Sequence, residues 1–288
     1  PAVIRQWRAF YEKHADLFRS NDSFAAVGVA FWSEQKLAGN RKHAEVVAQV
    51  SQQLLAAHVP FDYVLEESFA TNNFLRRYPA LILPQITRAE LKWLTTVADW
   101  VRTGGNVLMV GEQPPDSPLL PMVNTRSPGS GLVMRMDKLD SPEALLGWLG
   151  DYVHIDPCLI VDDGRPELRN VYVNAFTRRN RETWDVHACY HFVNYNVPLG
   201  VNAPSPKPIE NLMLRLPIPH DLKLRGFTVL DPDAPDGERP ESKTGETALM
   251  IKLPRLNLHK IIVADYASLK PPPSAPQKQK ADRRGLDF

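Results

Sequence analysis

Acidic, amide and aromatic side chains follow several apolar runs in the first half of the chain. The residues in this position are Trp32, Glu34, Glu66, Glu67, Gln85, Glu112 and Gln113. If the runs are parallel strands, their carboxyl ends meet at one edge of a sheet, where open α/β domains bind ligands. Paired carboxylates beside an aromatic ring suit a sugar, because the carboxylates accept hydrogen bonds from hydroxyl groups and the ring stacks on the sugar. We therefore predict a ligand-binding edge formed by Trp32, Glu34, Glu67, Gln85, Glu112 and Gln113. The alternatives are that these carboxylates are solvated and cap helices, or that the edge meets a neighbouring subunit or a barrel domain.

The turn Gly111-Glu112-Gln113 follows the fourth apolar run, where an α/β enzyme often carries its nucleophile. Neither Ser nor Cys occupies this turn. The chain also has no P-loop, Gly-x-Ser-x-Gly elbow, HExxH helix or CxxC pair. We predict that the chain holds no catalytic residue and no cofactor.

One segment, His187-Ala188-Cys189-Tyr190-His191, has a spacing typical of metal ligands. On a strand, His187, Cys189 and His191 share one face, opposite the apolar face of Val186 and Tyr190. Residues two apart on a strand are separated by about 6.6 Å, which is too far for three of them to hold one ion easily. The pattern therefore predicts an ordinary strand with these three side chains facing outward, and no metal site.

Alternating strands and helices position the acidic edge. Helical spacing predicts an amphipathic helix from Ala2 to Arg19 and another after Asn40, and Thr87-Arg88-Ala89-Glu90 forms a capping box for a third. A short helix starts at Ser141-Pro142. Buried strands are predicted at 24–32, 61–65, 79–84 and 106–110. This alternation indicates a parallel α/β sheet.

The pattern changes near Asp156, after which helical periodicity gives way to strands separated by turns rich in Pro and Gly. Strands are predicted at 171–177, 186–195, 211–216, 223–230, 248–253 and 260–266. We infer a linking helix at 1–20, an α/β domain at 21–155 and an antiparallel β-sandwich at 156–268. Residues 269–288 form a Pro-rich tail with five basic and two acidic residues, which we predict to be disordered.

Composition restricts the partners of the chain. Its 288 residues carry a net charge of +1, so electrostatics gives no reason to expect nucleic acid or a membrane surface as a partner. Apolar residues make up 43% of the chain, but no run approaches the roughly 20 residues that span a bilayer. Two cysteines do not form a disulfide framework.

Several of these segments resemble a known family. The segments Arg5-Gln6-Trp7, Ala25–Phe31, Leu81–Pro84 and Gly104–Gly111 resemble the glutamine-amidotransferase-like (trimerisation-type) domain of certain glycoside hydrolases, among them trimeric β-galactosidases. His191–Tyr195, Leu212–Pro219 and Phe227–Asp233 resemble the β-sandwich that closes such proteins. The resemblance implies a flavodoxin-like sheet that follows a TIM-barrel catalytic domain, which is absent from this chain. An active class I amidotransferase has Cys at the turn where this chain has Glu112.

The resemblance and the missing nucleophile together predict a non-catalytic accessory region of a glycoside-hydrolase-like protein. It would support oligomerisation and help to shape a carbohydrate site. The expected partners are further copies of the chain, in a homo-oligomer, or a TIM-barrel domain, with carbohydrate as a ligand. Two alternatives remain: a separate module that binds a carbohydrate or another small ligand at the carboxyl edge of the sheet, and an independent hydrolase that uses the edge carboxylates.

Overall fold

The computed structural model of the protein describes residues 2–19, 22–70, 75, 77–180, 182–198, 206–234 and 239–269. Except for Leu269, the basic tail predicted to be disordered lies outside these residues. Within the described part of the chain, no helix is long and apolar enough to cross a membrane.

A five-stranded parallel sheet occupies the first half of the chain. Its strands are β2 (Val27–Ala30), β3 (Phe61–Val64), β4 (Ala80–Pro84), β5 (Asn106–Val110) and β6 (Val133–Met136). They lie in the order β3-β2-β4-β5-β6, with every neighbouring pair parallel. Sequence analysis predicted the first four of these strands and missed β6, a short edge strand in which Arg135 interrupts the apolar pattern.

Helices cover both faces of this sheet. Alternate strand residues such as Ile82 and Leu108 pack with α3 (Arg41–Ala56) and α5 (Pro142–Gly147). The intervening residues, such as Leu81 and Val107, pack with α4 (Leu91–Arg102) on the other face. Because both faces are covered, the central strands β2 and β4 are apolar throughout, and all four residues of β2 are buried. A short helix, α2 (Ser33–Leu37), directly follows β2.

The helix N-termini agree with the sequence in two cases and differ in one. Asn40 accepts a hydrogen bond from the His43 amide, and Ser141 caps α5 in the same way. The capping box predicted at Thr87 is wrong, because α4 begins at Leu91 with Glu90 at its N-cap and no side-chain cap. The Thr87 hydroxyl and amide instead bond to Oε1 of Gln35.

Two antiparallel sheets form the second half. One contains β1 (Asp22–Ser23), β7 (Val171–Arg179), β8 (Val186–Asn194), β13 (His259–Ser268) and β10 (Leu222–Leu230), in that order. The other contains β11 (Glu241–Thr244), β12 (Ala248–Leu256) and β9 (Ile209–Pro217). Their facing side chains, among them Tyr190, Phe192, Leu214 and Ile251, form one apolar core. The fold therefore combines a parallel α/β sheet with an all-β sandwich, as the sequence predicted.

The N-terminal segment packs on the sandwich. Helix α1 (Ala2–Lys13) and the 3₁₀ turn Ala15–Phe18 lie on the outer face of the five-stranded antiparallel sheet, where Phe10 contacts Cys189 and Ile261. Within the helix, Gln6 Nε2 donates to the Pro232 carbonyl at 2.8 Å. Strand β1, which sequence analysis placed in the α/β region, pairs with β7 of the sandwich.

Candidate functional site

The carboxyl ends of β4 and β5 are joined by a side-chain clamp. Gln85 Oε1 accepts a hydrogen bond from the Glu112 amide at 3.1 Å, and Gln85 Nε2 donates to the Glu112 carboxylate at 3.2 Å. Gly111 has a φ of 77°, and a Cβ at this position would lie 2.3 Å from Gln85 Oε1. Glycine is therefore required for the turn to close on Gln85. The structure brings these two predicted site residues together.

A pair of carboxylates, Glu34 and Glu66, lies at the end of β2. Glu66 is buried and accepts from the Ser33 amide at 3.0 Å, which fixes the start of α2. Burial opposes ionisation of the Glu66 carboxyl, but hydrogen bonds from Ser33 and the Glu34 amide outweigh it and lower the Glu66 pKa. Burial and the nearby carboxylates of Glu90 and Glu66 raise the pKa of Glu34. The two acids of this pair therefore have pKa values shifted in opposite directions.

A polar network that sequence analysis did not identify connects α2 to the loop after β4. Gln35 is fully buried; its side-chain amide donates to the Arg88 carbonyl, and its Oε1 accepts from Asn40 Nδ2 at 2.9 Å. Asn40 Nδ2 also lies 3.3 Å from the Gln85 carbonyl oxygen. The crevice between the ends of β2 and β4 is consequently occupied by the chain's own amides.

His43 connects the same two strand ends from below. Its Nε2 accepts from the Trp32 amide at 3.2 Å, and its Nδ1 lies 2.7 Å from the Pro84 carbonyl oxygen. These partners assign the proton to Nδ1, because a carbonyl can only accept. Burial lowers the His43 pKa, so the ring stays neutral near pH 7.

The side chains of the remaining predicted site residues take no part in these clusters. Trp32 is fully buried, and its indole packs edge-on against Phe69 at 5.5 Å, so the ring does not present a face to solvent. Gln113 Nε2 donates to the Leu83 carbonyl at 3.1 Å. Glu67 is exposed in the 3₁₀ turn after β3. Ligand binding by the edge residues stays a prediction.

Away from the carboxyl edge, another polar cluster lies between α1 and the outer face of the five-stranded antiparallel sheet. The imidazoles of His191 and His259 are stacked at 5.5 Å and share a hydrogen bond of 3.3 Å. Tyr11 Oη lies 3.0 Å from His259 Nδ1. Burial lowers the pKa of His191 to about 4 and also lowers that of His259. Sequence analysis missed this cluster, since Tyr11 and His259 are 248 residues apart and only tertiary packing joins them.

The structure also locates the segment with metal-like spacing. His187, Cys189 and His191 share the face of β8 that points away from the sandwich core, as alternation predicted. The outward face is not fully open to solvent, however, because the N-terminal segment covers Cys189 and packs Phe18 against His191. His187 pairs instead with Asp265. Among the described residues, no group of three or more His, Cys, Asp or Glu side chains is placed to hold a metal ion.

Comparison with known proteins identifies the fold. No protein-family model and no curated protein sequence matches the chain. Among solved structures it is similar to α-L-fucosidase isoenzyme 2 from Paenibacillus thiaminolyticus, with a TM-score of 0.66 and 14% identity over 90% of this chain and 51% of that one. It is also similar to a rhamnosidase from Novosphingobium sp. PP1Y, with a TM-score of 0.52 and 14% identity over 95% of this chain and 26% of that one. A GH42 β-galactosidase from G. stearothermophilus has a TM-score of 0.51 and 12% identity, over 84% of this chain and 40% of that one.

These neighbours are glycoside hydrolases, and the chain spans about half or less of the length of each. At such low identity the likeness establishes the fold alone. The chain therefore has the fold of a region found within glycoside-hydrolase chains.

Proposed function

We propose that the chain is a non-catalytic accessory region of a glycoside-hydrolase-like protein. The observation that carries this proposal is the asymmetry of the structural matches. They include 84–95% of this chain but only 26–51% of the hydrolase chains. An α/β sheet followed by a β-sandwich thus recurs as one part of larger enzymes that cleave glycosides.

The finer class that we propose for the parallel sheet is a flavodoxin-like, amidotransferase-like domain. Its strand order supports this class, because β3-β2-β4-β5-β6 is the 2-1-3-4-5 order of flavodoxin-like sheets. Glu112 stands where an active amidotransferase has its cysteine, and its carboxylate is held by Gln85. Burial raises the pKa of the Cys158 thiol to about 12 and that of Cys189 to about 11, so both cysteines remain protonated and unreactive.

The proposed role at the carboxyl edge is to support a neighbouring TIM-barrel domain or another copy of the chain, and to contribute to a carbohydrate site there. Two features support this role. The Gln85–Glu112 clamp and the Gln35–Asn40 network join the strand ends through side-chain hydrogen bonds, which suits a structural contact. The acids Glu34 and Glu112 remain partly or fully exposed there, where they can accept hydrogen bonds from sugar hydroxyl groups.

The first test is the mass of the natural protein in its source cells, measured by immunoblot with an antibody raised against this chain. We expect a polypeptide far larger than the 32.5 kDa of this chain. A natural mass near 32.5 kDa would contradict the accessory role and favour a module or enzyme that acts alone.

The second test is activity. The purified chain is assayed with nitrophenyl β-galactoside, α-L-fucoside and α-L-rhamnoside, and separately for glutamine hydrolysis. We expect no turnover in any assay, and the natural full-length protein serves as the positive control for glycosides. Turnover by the chain alone that is lost in Glu112→Gln would refute the proposal and favour the independent hydrolase.

A further inference from the structure

Two cavities adjoin on the outer face of the five-stranded antiparallel sheet, away from the carboxyl edge of the parallel sheet. One, of about 540 Å³, lies between α1 and this antiparallel sheet. The other, of about 430 Å³, lies between the antiparallel sheet and β3, the edge strand of the parallel sheet. Asn174, Phe176 and Val193 line both cavities, so they form one groove across β7 and β8. Each volume falls within the range of small-molecule sites.

Aromatic rings dominate this groove. Tyr11, Phe18 and Phe176 line the first cavity, and Phe61, Tyr63, Tyr172 and Tyr195 line the second. Three of these rings keep much of their surface open: Tyr195 is 56% exposed, Tyr63 53% and Phe18 42%. Large exposed aromatic side chains gathered at one place mark a binding surface more often than chance. The groove therefore offers ring faces on which a flat apolar surface can stack.

The polar groups of the groove are almost all neutral. Asn174 projects from its floor, and its side-chain amide has no hydrogen-bond partner in the described part of the chain. His191 and His259 line one end, and their lowered pKa values keep them uncharged near pH 7. The one acidic residue of the lining, Asp62, already accepts hydrogen bonds from Ser23 and Tyr78. An anionic ligand therefore meets no cationic side chain in the lining, and both oxygens of the one carboxylate are already engaged by hydroxyl groups.

We propose that this groove binds an uncharged oligosaccharide. A sugar ring has apolar C–H faces for the aromatic rings and hydroxyl groups for Asn174 and the imidazoles. Along β7 the floor extends from Tyr172 to Phe176, about 13 Å of strand, which is longer than one sugar ring. The choice of sugar over other neutral ligands rests on the proposed function, but the groove is separate from the carboxyl edge.

The test begins with an array of neutral oligosaccharides that contain galactose, fucose or rhamnose, probed with the purified chain. The strongest binder is then titrated by calorimetry against the wild type and variants. Tyr195→Ala is the main variant. The Tyr195 ring is exposed and its centroid lies 4.5 Å from that of Tyr172, so its removal changes the groove and leaves the core intact. We expect affinity to fall by about tenfold or more, equivalent to about 1.4 kcal/mol. Tyr152→Ala is the matched control, since Tyr152 is 43% exposed and lines neither cavity.

Three outcomes would overturn the proposal: no array member binds, Tyr195→Ala and Tyr152→Ala bind equally well, or binding is lost in Glu112→Gln instead. The last result would place the sugar at the carboxyl edge. If Tyr195→Ala changes the oligomeric state measured by light scattering while no sugar binds, the groove is a protein interface. The mass and turnover tests do not involve this groove. A negative result here would therefore refute sugar binding in the groove without refuting the proposed accessory role.

Discussion

His191 gives the protein a defined sensitivity to acid. Its imidazole lies beneath α1, stacked on His259 and in contact with Phe18 and Phe176. Burial, and then the neighbouring His259, lower its pKa from 6.5 to about 4. The folded state therefore keeps this ring neutral at a pH where the unfolded chain has already bound a proton. Stability is intact above pH 6.5 and falls as the pH decreases toward 4.

The size of this effect follows from the shift. Each pKa unit corresponds to about 1.4 kcal/mol. Protonation of His191 in the unfolded chain therefore lowers the free energy of unfolding by about 3 kcal/mol at pH 4 and by about 2 kcal/mol at pH 5. That loss is a large part of the 5–15 kcal/mol that typically separates folded from unfolded domains. We expect acid to weaken the contact between α1 and the sheet first, since the charged ring would lie in that interface.

Urea unfolding at pH 7 and pH 5 measures this contribution. The wild type should lose about 2 kcal/mol more than His191→Gln between these conditions, because the variant has no proton to bind at this position. His220→Gln removes an exposed histidine and serves as the control, with the pH dependence of the wild type. Equal pH dependence in the wild type and His191→Gln, or an NMR-titrated His191 pKa near 6.5, would refute the reasoning.

Three further predictions concern stability and are measured by urea unfolding at pH 7. Asp231→Asn should cost about 3–5 kcal/mol, because it removes the carboxylate 3.3 Å from the Lys260 ammonium when both side chains are only 5% exposed. Adding Lys260→Met should restore most of that loss, and an unrestored double variant would contradict the buried ion pair. Gly111→Ala should cost about 1–2 kcal/mol from its positive φ and more from the clash with Gln85, so Gln85→Ala should relieve only the second part. Ser141→Ala should cost about 1 kcal/mol through loss of the α5 cap, and an unchanged stability would show that this cap is dispensable.

Local chemistry explains which elements the sequence revealed. Strands buried on both faces, such as β2 and β4, are apolar throughout, so they are recognisable without tertiary information. The edge strand β6 and the fully exposed β11 lack this pattern and were missed. The capping box at Thr87 failed for another reason: the buried amide of Gln35 bonds to Thr87, and a distant partner overrode the local motif.

At the candidate site, too, the sequence predicted some features and not others. The strand ends predicted that Gln85 and Glu112 lie at one edge of the sheet, because parallel strands end at a common edge, and the structure adds the direct hydrogen bonds between them. The burial of Trp32 was not visible, since it depends on Phe69 and its surroundings.

By itself, the sequence determined the two kinds of sheet, the helix spacing and the outward face of β8, because side-chain alternation follows directly from backbone geometry. Only the tertiary structure decided what covers each face. Helix α1 folds back on the sandwich, buries His191 against His259 and completes the aromatic groove with residues from β3 and β8. These contacts join residues far apart in the chain, and their energies arise from burial and desolvation, which exist only after the elements have packed together.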